Sequence, residues 1–193
     1  MRECTAGKTV AIRQACYLLS KYKTVVVVDT SNEIAGAGDE KHPAIGYARR
    51  LPVPPKKKQQ DLMLQAVQNH SADVVVVDEI GTREQAEAAC TIAEQGVHLL
   101  ASVHGRSLAD VIHNKKVNAI IGSPQSVIFS DNQAQGDDNK LQKRIGDEPA
   151  FQCAIELQQG DDWQGIDDLK HAVKSILKNR NPPRQPLSQN RNR

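Results

Sequence analysis

Two runs of four valines, each ending in a carboxylate, restrict the fold of this chain more than any other feature. They lie within residues 24–29 and Val74–Glu79, and a third apolar run covers residues 97–104. A strand that is apolar at every position, without alternation, is typical of a parallel sheet covered on both faces. The sequence therefore predicts an α/β fold whose sheet is buried between two layers of helices.

Apolar residues recur at helical spacing between and after these runs. The predicted helices cover residues 9–22, 61–70, 83–95 and 166–177. Thr82 and Gln85 have the spacing of a capping box at the start of the third helix. Strands that alternate with helices predict right-handed βαβ units, and therefore a mainly parallel sheet with helices on both faces.

Two internal regions lack this periodicity. Residues 31–58 are rich in glycine, proline and charge, which predicts a long loop of the kind that is usually functional or mobile. Residues 131–148 are polar, and we expect them to form a hairpin-like or mobile connection. Short strands are predicted on either side of that connection, at residues 126–130 and 151–157.

The length of 193 residues suits one domain, which we place at residues 1–178. Residues 179–193 are rich in proline, asparagine and arginine and contain no acid, which predicts a disordered basic tail. The four cysteines form no close pair, so neither a disulfide framework nor a zinc site is expected. A reducing intracellular compartment and a soluble protein are therefore the default expectation.

Charge and aromatic content bear on possible partners. The formal net charge is only +2 and aromatic residues make up 3%, so no overall field or stacking platform favours nucleic acid. The lysines at 56–58 and the arginines of the tail are the residues with which the chain could contact phosphate backbones. We favour a solvated basic run for them. No apolar run reaches membrane-spanning length, so membrane insertion is not expected.

Residues 6–9 match the second half of the phosphate-binding pattern G-x-x-x-x-G-K-[ST] and lead directly into a helix. Glycine lets backbone N–H groups approach phosphate oxygens, and the helix N-terminus favours their charge. The alternative is an ordinary helix start with a solvated lysine, and Arg2 replaces the first glycine of the pattern. Lys8 is expected to reach the β- and γ-phosphates, and Thr9 to offer its hydroxyl to Mg²⁺. The predicted nucleotide-binding residues are Cys4, Thr5, Ala6, Gly7, Lys8, Thr9 and Val10.

Asp78 and Glu79 end the second valine run, at the carboxyl end of a buried strand, where parallel sheets place their ligands. This is the form of a Walker B strand. Asp78 is expected to hold Mg²⁺ through water, and Glu79 to polarise an attacking water. The alternative is an acidic turn in solvent. The order of Lys8, Thr9 and this acidic pair along the chain favours the nucleotide interpretation.

Other polar residues end the neighbouring runs. His104 is placed to sense a γ-phosphate, although a single histidine is more often structural. Asp29 and Glu33 follow the first run and are candidates to flank the same site, or to lie in a solvated loop. Arg49 and Arg50 are either an arginine finger that reaches the ATP of a neighbouring subunit or an ordinary surface pair.

These motifs together resemble one family. The segments 25–36, 42–50, 77–82, 91–97, 104–105, 125–127 and 151–157 are similar to the ATPase domain of the stage III sporulation protein AA group and its cyanobacterial and plastid relatives. The resemblance covers roughly residues 6–177. That family is in turn similar to secretion-type ATPases, which are commonly hexameric rings with ATP between subunits.

The resemblance implies a RecA-like P-loop fold, ATP and Mg²⁺ as cofactors, and assembly with identical or related ATPase subunits. It also implies a plastid or a bacterial cytoplasm as the setting. The residues that match the family's phosphate loop, Walker B pair, acidic pair, histidine and arginine pair are Lys8, Thr9, Asp78, Glu79, Asp29, Glu33, His104, Arg49 and Arg50.

The chain also departs from the family. Relatives have a strand before the phosphate loop, placed centrally beside the run at 97–104, and often a nucleic-acid-binding domain. Neither is present in this sequence. We therefore expect two unpaired strand edges and an open hydrophobic slot. This departure keeps a second function open, in which the chain lacks catalysis and is an interaction module in a ring of intact paralogues.

Overall fold

The computed structural model describes residues 7–128, 141–157 and 163–187. Five helices lie within these ranges: α1 Lys8–Leu19, α2 Gln59–His70, α3 Arg83–Glu94, α4 Leu108–His113 and α5 Leu169–Leu177. Nine strands accompany them: β1 Val25–Asp29, β2 Arg49–Pro52, β3 Val74–Glu79, β4 His98–Ser102, β5 Pro124–Ile128, β6 Leu141–Ile145, β7 Ala154–Leu157, β8 Trp163–Ile166 and β9 Gln185–Leu187. The chain is thus a mixed α/β protein.

The three apolar runs form β1, β3 and β4 of one parallel sheet with the order β2-β1-β3-β4. The prediction of a parallel sheet is confirmed. Val28 of β1 lies opposite Val77 of β3, so the two valine runs end side by side. We call the edge of the sheet where these strands end the carboxyl edge.

Each valine run has one set of side chains on each face of the sheet. Val26, Val28, Val75 and Val77 pack with the apolar residues of α2 and α3, and with those of α4 and α5. The alternate valines pack with Ile12 and Cys16 of α1 on the opposite face. All eight valines are 3% exposed or less. The strands are apolar without alternation because helices cover both faces, as the sequence predicts.

The loop predicted at residues 31–58 contains a strand, and the prediction is wrong at that point. Residues Arg49–Pro52 form β2, which pairs in parallel with β1 at the edge of the sheet. A short 3-10 helix, Pro43–Ile45, precedes it. The sequence does not predict this strand, because it is half-exposed and begins with two arginines. It therefore has neither an apolar run nor an alternation of apolar and polar residues.

Two smaller antiparallel sheets follow the main one. Strand β6 lies within the connection predicted at residues 131–148 and pairs antiparallel with β5, and the residues between β5 and β6 lie outside the described part of the chain. Strands β7, β8 and β9 form the other sheet in that order. Strand β9 lies in the segment for which the sequence predicts disorder. Arg184 anchors that segment, because its guanidinium donates to Glu156 of β7 at 2.7 Å.

Strand β4 pairs with β3, and β7 pairs with β8; the other edge of each has no partner among the described strands. A cavity of about 420 Å³ lies between them, lined by β4, by residues 150–157 and by α1 and α4. We call this cavity the β4–β7 slot. No helix in the described part of the chain is long and apolar enough to cross a membrane.

Candidate functional site

Carboxylates from β1 and β3 meet at the carboxyl edge. Ser31, just after β1, joins them, since its hydroxyl donates to Asp78 and lies 3.5 Å from Asp29 Oδ1. This contact follows from the register of the two strands, which places their ends next to each other. Ser31 thus brings Asp29 and Asp78 next to each other.

Asp29 is the buried member of this pair, with 1% of its surface exposed. Its Oδ2 accepts hydrogen bonds from the backbone N–H groups of Ile34 and Ala35, at 2.9 and 2.8 Å. Glu33 lies in the turn thus formed, and its side chain is exposed. Asp29 therefore holds the loop after β1 in shape, whereas Glu33 remains free to face a ligand or solvent.

A bulge in β3 sets the direction of Asp78 and Glu79. Val77 pairs with Ala101 and Glu79 with the next residue, Ser102, so Asp78 is the extra residue of the ladder. The Ser102 hydroxyl donates to the Asp78 carbonyl at 2.6 Å and secures the irregularity. Bulges beside functional sites re-aim side chains. Here the bulge leaves Asp78 half-buried and Glu79 exposed at the carboxyl edge.

The environment of Asp78 disfavours its charge. Burial is the largest cause that raises the pKa of its carboxyl group above the ordinary value of 3.8, and the negative charges of Asp29, Glu33 and Glu79 raise it further. The hydrogen bond from Ser31 opposes both effects. A site that concentrates negative charge in this way attracts a cation.

Folding raises the pKa of Asp78, so ionising this group is less favourable in the folded state than in the unfolded chain. Stability should therefore fall as the pH rises from the ordinary carboxyl range through the raised pKa. Asp78→Asn should stabilise the protein at pH 7, by no more than about 1 kcal/mol because the group is half-exposed. Urea denaturation at pH 7 and pH 4 measures this gain, which should shrink at the lower pH. An equal gain at both values, or the same gain in the exposed control Asp39→Asn, would contradict the electrostatic cause.

Gln59, the first residue of α2, is a site residue that the sequence analysis missed. Its side chain is 7% exposed and contacts three elements. Its Oε1 accepts from the Thr30 hydroxyl at 2.8 Å and from Gln85 at 2.9 Å, while its Nε2 donates to the Glu79 carbonyl at 3.2 Å. Gln59 thus fixes the ends of β1 and β3 to the starts of α2 and α3. A glutamine pair after a lysine run gives no indication of this in the sequence.

The start of α1 has the form of an anion site. Gly7 has φ +68°, a left-handed conformation that favours glycine, and no side chain of the described residues caps the helix. The first turn contains no acid, and Lys8 and Thr9 in it are half-buried while Val10 is 57% exposed. Free N–H groups at a helix start bind anions. Of the predicted nucleotide-binding residues, Cys4, Thr5 and Ala6 lie outside the described part of the chain.

The direction of α1 brings its start toward the carboxyl edge. Residues 20–24 join the end of α1 directly to the start of β1. A helix of 12 residues is about 18 Å long, close to the roughly 16 Å of a five-residue strand. Arg13 links the two elements, because its guanidinium donates to the carbonyls of Glu33 and Ile34 in the loop after β1. Arg13 is a second residue that the sequence analysis missed.

Three predicted site residues are not joined to the carboxylates. Arg50 donates to the Gly36 carbonyl at 2.7 Å, so its guanidinium is engaged within its own chain. The Arg49 side chain is exposed, and it makes no hydrogen bond or ion pair with another described residue. Arg49 lies opposite Val26, three positions before the end of β1. His104 is exposed two residues beyond β4.

The oxygen ligands at the carboxyl edge suit a hard cation without forming a complete cage. No group of three or more His, Cys, Asp or Glu side chains among the described residues is arranged to hold a metal ion. Mg²⁺ usually binds through one or two carboxylates, with water and substrate phosphates as its other ligands. Asp78 provides one such carboxylate at the carboxyl edge. A cavity of about 810 Å³ between α3 and residues 115–124 contains none of the predicted site residues.

Comparison with known proteins identifies related sequences. Residues 6–137 match the family model described as "Sporulation stage III, protein AA". The chain is 42% identical, over 180 residues, to the uncharacterized protein ycf45 of Porphyra purpurea, covering 91% of this chain and 32% of that protein. It is 40% identical to the protein SEEDLING PLASTID DEVELOPMENT 1 of Arabidopsis thaliana, over 92% of this chain and 26% of that protein.

A more distant relative is the stage III sporulation protein AA of Bacillus subtilis, 29% identical over 55% of this chain and 36% of that protein. The chain thus spans between about a quarter and a third of the length of the first two relatives described above. The remaining parts of those proteins have no counterpart in this alignment.

Proposed function

The chain belongs to the family "Sporulation stage III, protein AA", and on that premise we propose that it is an ATP- and Mg²⁺-binding ATPase domain. The observation that carries the proposal is the arrangement at the carboxyl edge. There, a bulge presents Asp78 and Glu79 beside Asp29, and the uncapped start of α1 approaches the same edge. Anion-binding and cation-binding groups at one edge are what a magnesium–nucleotide complex requires.

Each residue has a role in this proposal. The N–H groups of the first turn of α1 bind phosphate oxygens, and Lys8 neutralises the β- and γ-phosphates. Glu79, exposed beyond the bulge, orients a water for attack on the γ-phosphorus. His104 is two residues beyond β4, and in the proposal it senses the γ-phosphate. The products are ADP and phosphate, and no covalent enzyme intermediate is needed.

The residues that would hold Mg²⁺ are Thr9 and Asp78. When bound, Mg²⁺ supplies positive charge that offsets the charge on the β- and γ-phosphate oxygens. The negative charges around Asp78 make this edge favourable for a cation, and the Ser31 hydroxyl holds the Asp78 carboxylate in position. Asp29, buried and bonded to two backbone amides, is a positioning residue for the loop that carries Ser31.

Of the two arginines, Arg49 is the better candidate to act across a subunit boundary. Its side chain is exposed, whereas Arg50 is committed to Gly36. Arg49 also lies opposite Val26, three positions before the carboxyl edge of its own sheet. It is therefore not level with Asp78 of the same subunit. We therefore propose an assembly of identical or related subunits in which Arg49 of one subunit approaches the nucleotide of the next.

Titration of the purified chain with a fluorescent ATP analogue and Mg²⁺ tests nucleotide binding. Lys8→Ala should weaken binding by at least about tenfold, because a positive charge beside the phosphates is lost. Lys21→Ala, which removes an exposed lysine just beyond the other end of α1, is the matched control and should leave binding unchanged. Equal affinity of all three proteins, or no binding by folded parent protein, would refute the proposed site.

A second candidate function is an interaction module without catalysis. The observation that favours it is the β4–β7 slot, which leaves two strand edges open. In this alternative the chain joins a ring of longer, catalytically intact relatives and alters their activity. Co-purification with such a relative, together with absence of nucleotide binding in the titration above, would favour it.

We also propose a plastid setting. One relative that covers 92% of this chain is named for seedling plastid development, and that name supports the assignment. Fractionation of plastids from the source organism, probed with an antibody against this chain, tests the location. Recovery of the protein only outside the plastid fraction would exclude it.

A further inference from the structure

The three tyrosines of the chain lie on one part of its surface, around the end of α1. Tyr17 is in the last turn of α1, Tyr22 follows the helix, and Tyr47 precedes β2. Their side chains are 43%, 86% and 78% exposed. The low aromatic content of the sequence hides this arrangement, because folding brings Tyr47 back to the end of α1. We call this surface the tyrosine patch.

Short contacts fix the backbone of the tyrosine patch. The Ser20 hydroxyl donates to the Tyr17 carbonyl at 2.9 Å and accepts from the backbone N–H of Tyr47 at 3.0 Å. The residue before Tyr47 is a glycine that packs against the Tyr17 ring, since a Cβ atom there would lie 2.9 Å from Tyr17 Cδ2. The Lys21 ammonium lies over the same ring, 4.5 Å from its centroid. Tyr17 is thus already in contact on its ring, whereas the rings of Tyr22 and Tyr47 are largely exposed.

The tyrosine patch carries positive charge. Residues 4–28 contain no acid. Exposed Lys23 follows Tyr22 directly, and exposed Lys41 donates to the backbone carbonyl of the residue after Tyr47 at 3.0 Å. Neither lysine forms an ion pair with another described residue. Each of the two exposed rings therefore has an unpaired cation next to it.

Acids in the neighbouring segments offset little of this charge. Asp73, just before β3, accepts from the backbone N–H of Thr24 at 2.7 Å, and its pKa is lowered mainly by that bond and further by the charge of Lys23. The acids at positions 39 and 40 lie in a turn closed by a hydrogen bond from the N–H of residue 42 to the Ala35 carbonyl at 2.7 Å. Because Ala35 also donates to Asp29, this turn begins and ends near the carboxyl edge, at the other end of the sheet.

We propose that the tyrosine patch binds single-stranded nucleic acid. Bases stack on the rings of Tyr22 and Tyr47, and phosphates lie against Lys23 and Lys41. Every base has a π-face, so little sequence preference is expected. The patch is at the end of α1 and the start of β1, opposite the carboxyl edge. The proposal therefore goes beyond the nucleotide site and holds whether or not the chain hydrolyses ATP.

The alternation of lysine and tyrosine favours nucleic acid over a protein partner. Tyrosine is enriched in protein–protein interfaces, but lysine is depleted there. At positions 21–23 a tyrosine stands between two lysines, which is the combination that bases and phosphates require. Leu18 and Leu19, which are also exposed, would suit a protein partner instead, and the experiment distinguishes the two.

Fluorescence anisotropy with a fluorescein-labelled single strand of about twelve thymidines tests the proposal. We expect saturable binding to the full chain, with an affinity that falls about sevenfold between about 50 and 200 mM salt, as two phosphate contacts require. A duplex of the same length should bind more weakly, because its bases are stacked on one another and cannot reach the tyrosines. A parallel titration with uridine RNA of the same length distinguishes DNA from RNA as the preferred strand.

Variants of the full chain locate the binding. Tyr22→Ala and Tyr47→Ala should each weaken it by about fivefold or more, whereas Tyr22→Phe keeps the ring and should stay within about twofold of the parent. Lys23→Ala should reduce the slope of log affinity against log salt by about 0.7. Lys174→Ala, which removes an exposed lysine of α5, is the matched control and should change neither quantity. Thermal melts of each variant establish that it is folded.

Three outcomes would overturn the proposal. Parental affinity in both Tyr22→Ala and Tyr47→Ala would mean that bases do not stack on these rings. Binding of the duplex as tight as that of the single strand would mean attraction by charge alone. Self-association of the folded chain that is lost in Tyr22→Ala, without binding of either strand, would mean that the patch is a contact between copies of the protein.

Discussion

Replacing Glu79 by glutamine is expected to slow ATP hydrolysis by about 10²- to 10⁴-fold while nucleotide affinity stays within about twofold. Glutamine keeps the shape of the side chain but cannot accept a proton from the attacking water. Because Glu79 is exposed at the end of the β3 bulge and no described backbone group depends on its carboxylate, the fold should be unchanged. Single-turnover hydrolysis of radiolabelled ATP measures the rate, and the fluorescent titration measures the affinity.

Glu33→Gln is the matched control for this prediction. Glu33 is also an exposed acid near Asp78, so its loss changes the local charge by the same amount. The rate should fall far less in Glu33→Gln than in Glu79→Gln, since the general electrostatic effect is common to both variants. Equal rates for the parent and Glu79→Gln would show that Glu79 does not polarise the water. Equal losses in both variants would assign its effect to charge alone.

Most of the central sheet could be predicted because its determinants are local. A run of four valines has no polar position to place in water, so β1 and β3 must be covered on both faces. The capping box of Thr82 and Gln85 is likewise encoded within four residues, and both of its hydrogen bonds are present. Continuous apolar runs and cap residues thus gave β1, β3 and α3 nearly to the residue.

Strands β2 and β9 could not be predicted because pairing with a distant strand stabilises them. Residues Arg49–Pro52 have no apolar pattern, and their ladder depends on β1 being next to them. Residues Gln185–Leu187 depend on β8 in the same way. In the candidate site, the positions of Asp78 and Glu79 were predictable from the end of a valine run. The bulge that aims them was not, since it depends on the Ser102 hydroxyl of another strand.

The roles of the residues that hold the candidate site in place could not be predicted from the sequence either. Gln59, Ser31 and Arg13 act through contacts with segments between 20 and 47 positions away. Sequence patterns indicate which residues carry charge at the end of a strand. They do not indicate which neutral side chain will donate the hydrogen bond that orients them, because that depends on the register of the folded sheet.

The largest effect on stability is expected from Asp29→Ala. The change removes the acceptor for the N–H groups of Ile34 and Ala35, both of which are fully buried. Each buried donor left without a partner costs about 1–3 kcal/mol, so the two together should lower the free energy of unfolding by about 2–6 kcal/mol. Part of this loss is offset, because removing Asp29 also removes a negative charge near Asp78. Urea denaturation at pH 7 measures the difference.

Two further variants separate the contributions of charge and hydrogen bonding. Glu33→Ala removes an exposed carboxylate from the same loop and should change the unfolding free energy by no more than about 0.5 kcal/mol. Asp29→Asn keeps one oxygen acceptor but loses the charge, and should lie between the parent and Asp29→Ala. If Asp29→Ala were as stable as Glu33→Ala, the two backbone amides would have found water or another partner. The loop that carries Ser31 would then owe its shape to the burial of Ile34 and Ala35 instead of to the Asp29 carboxylate.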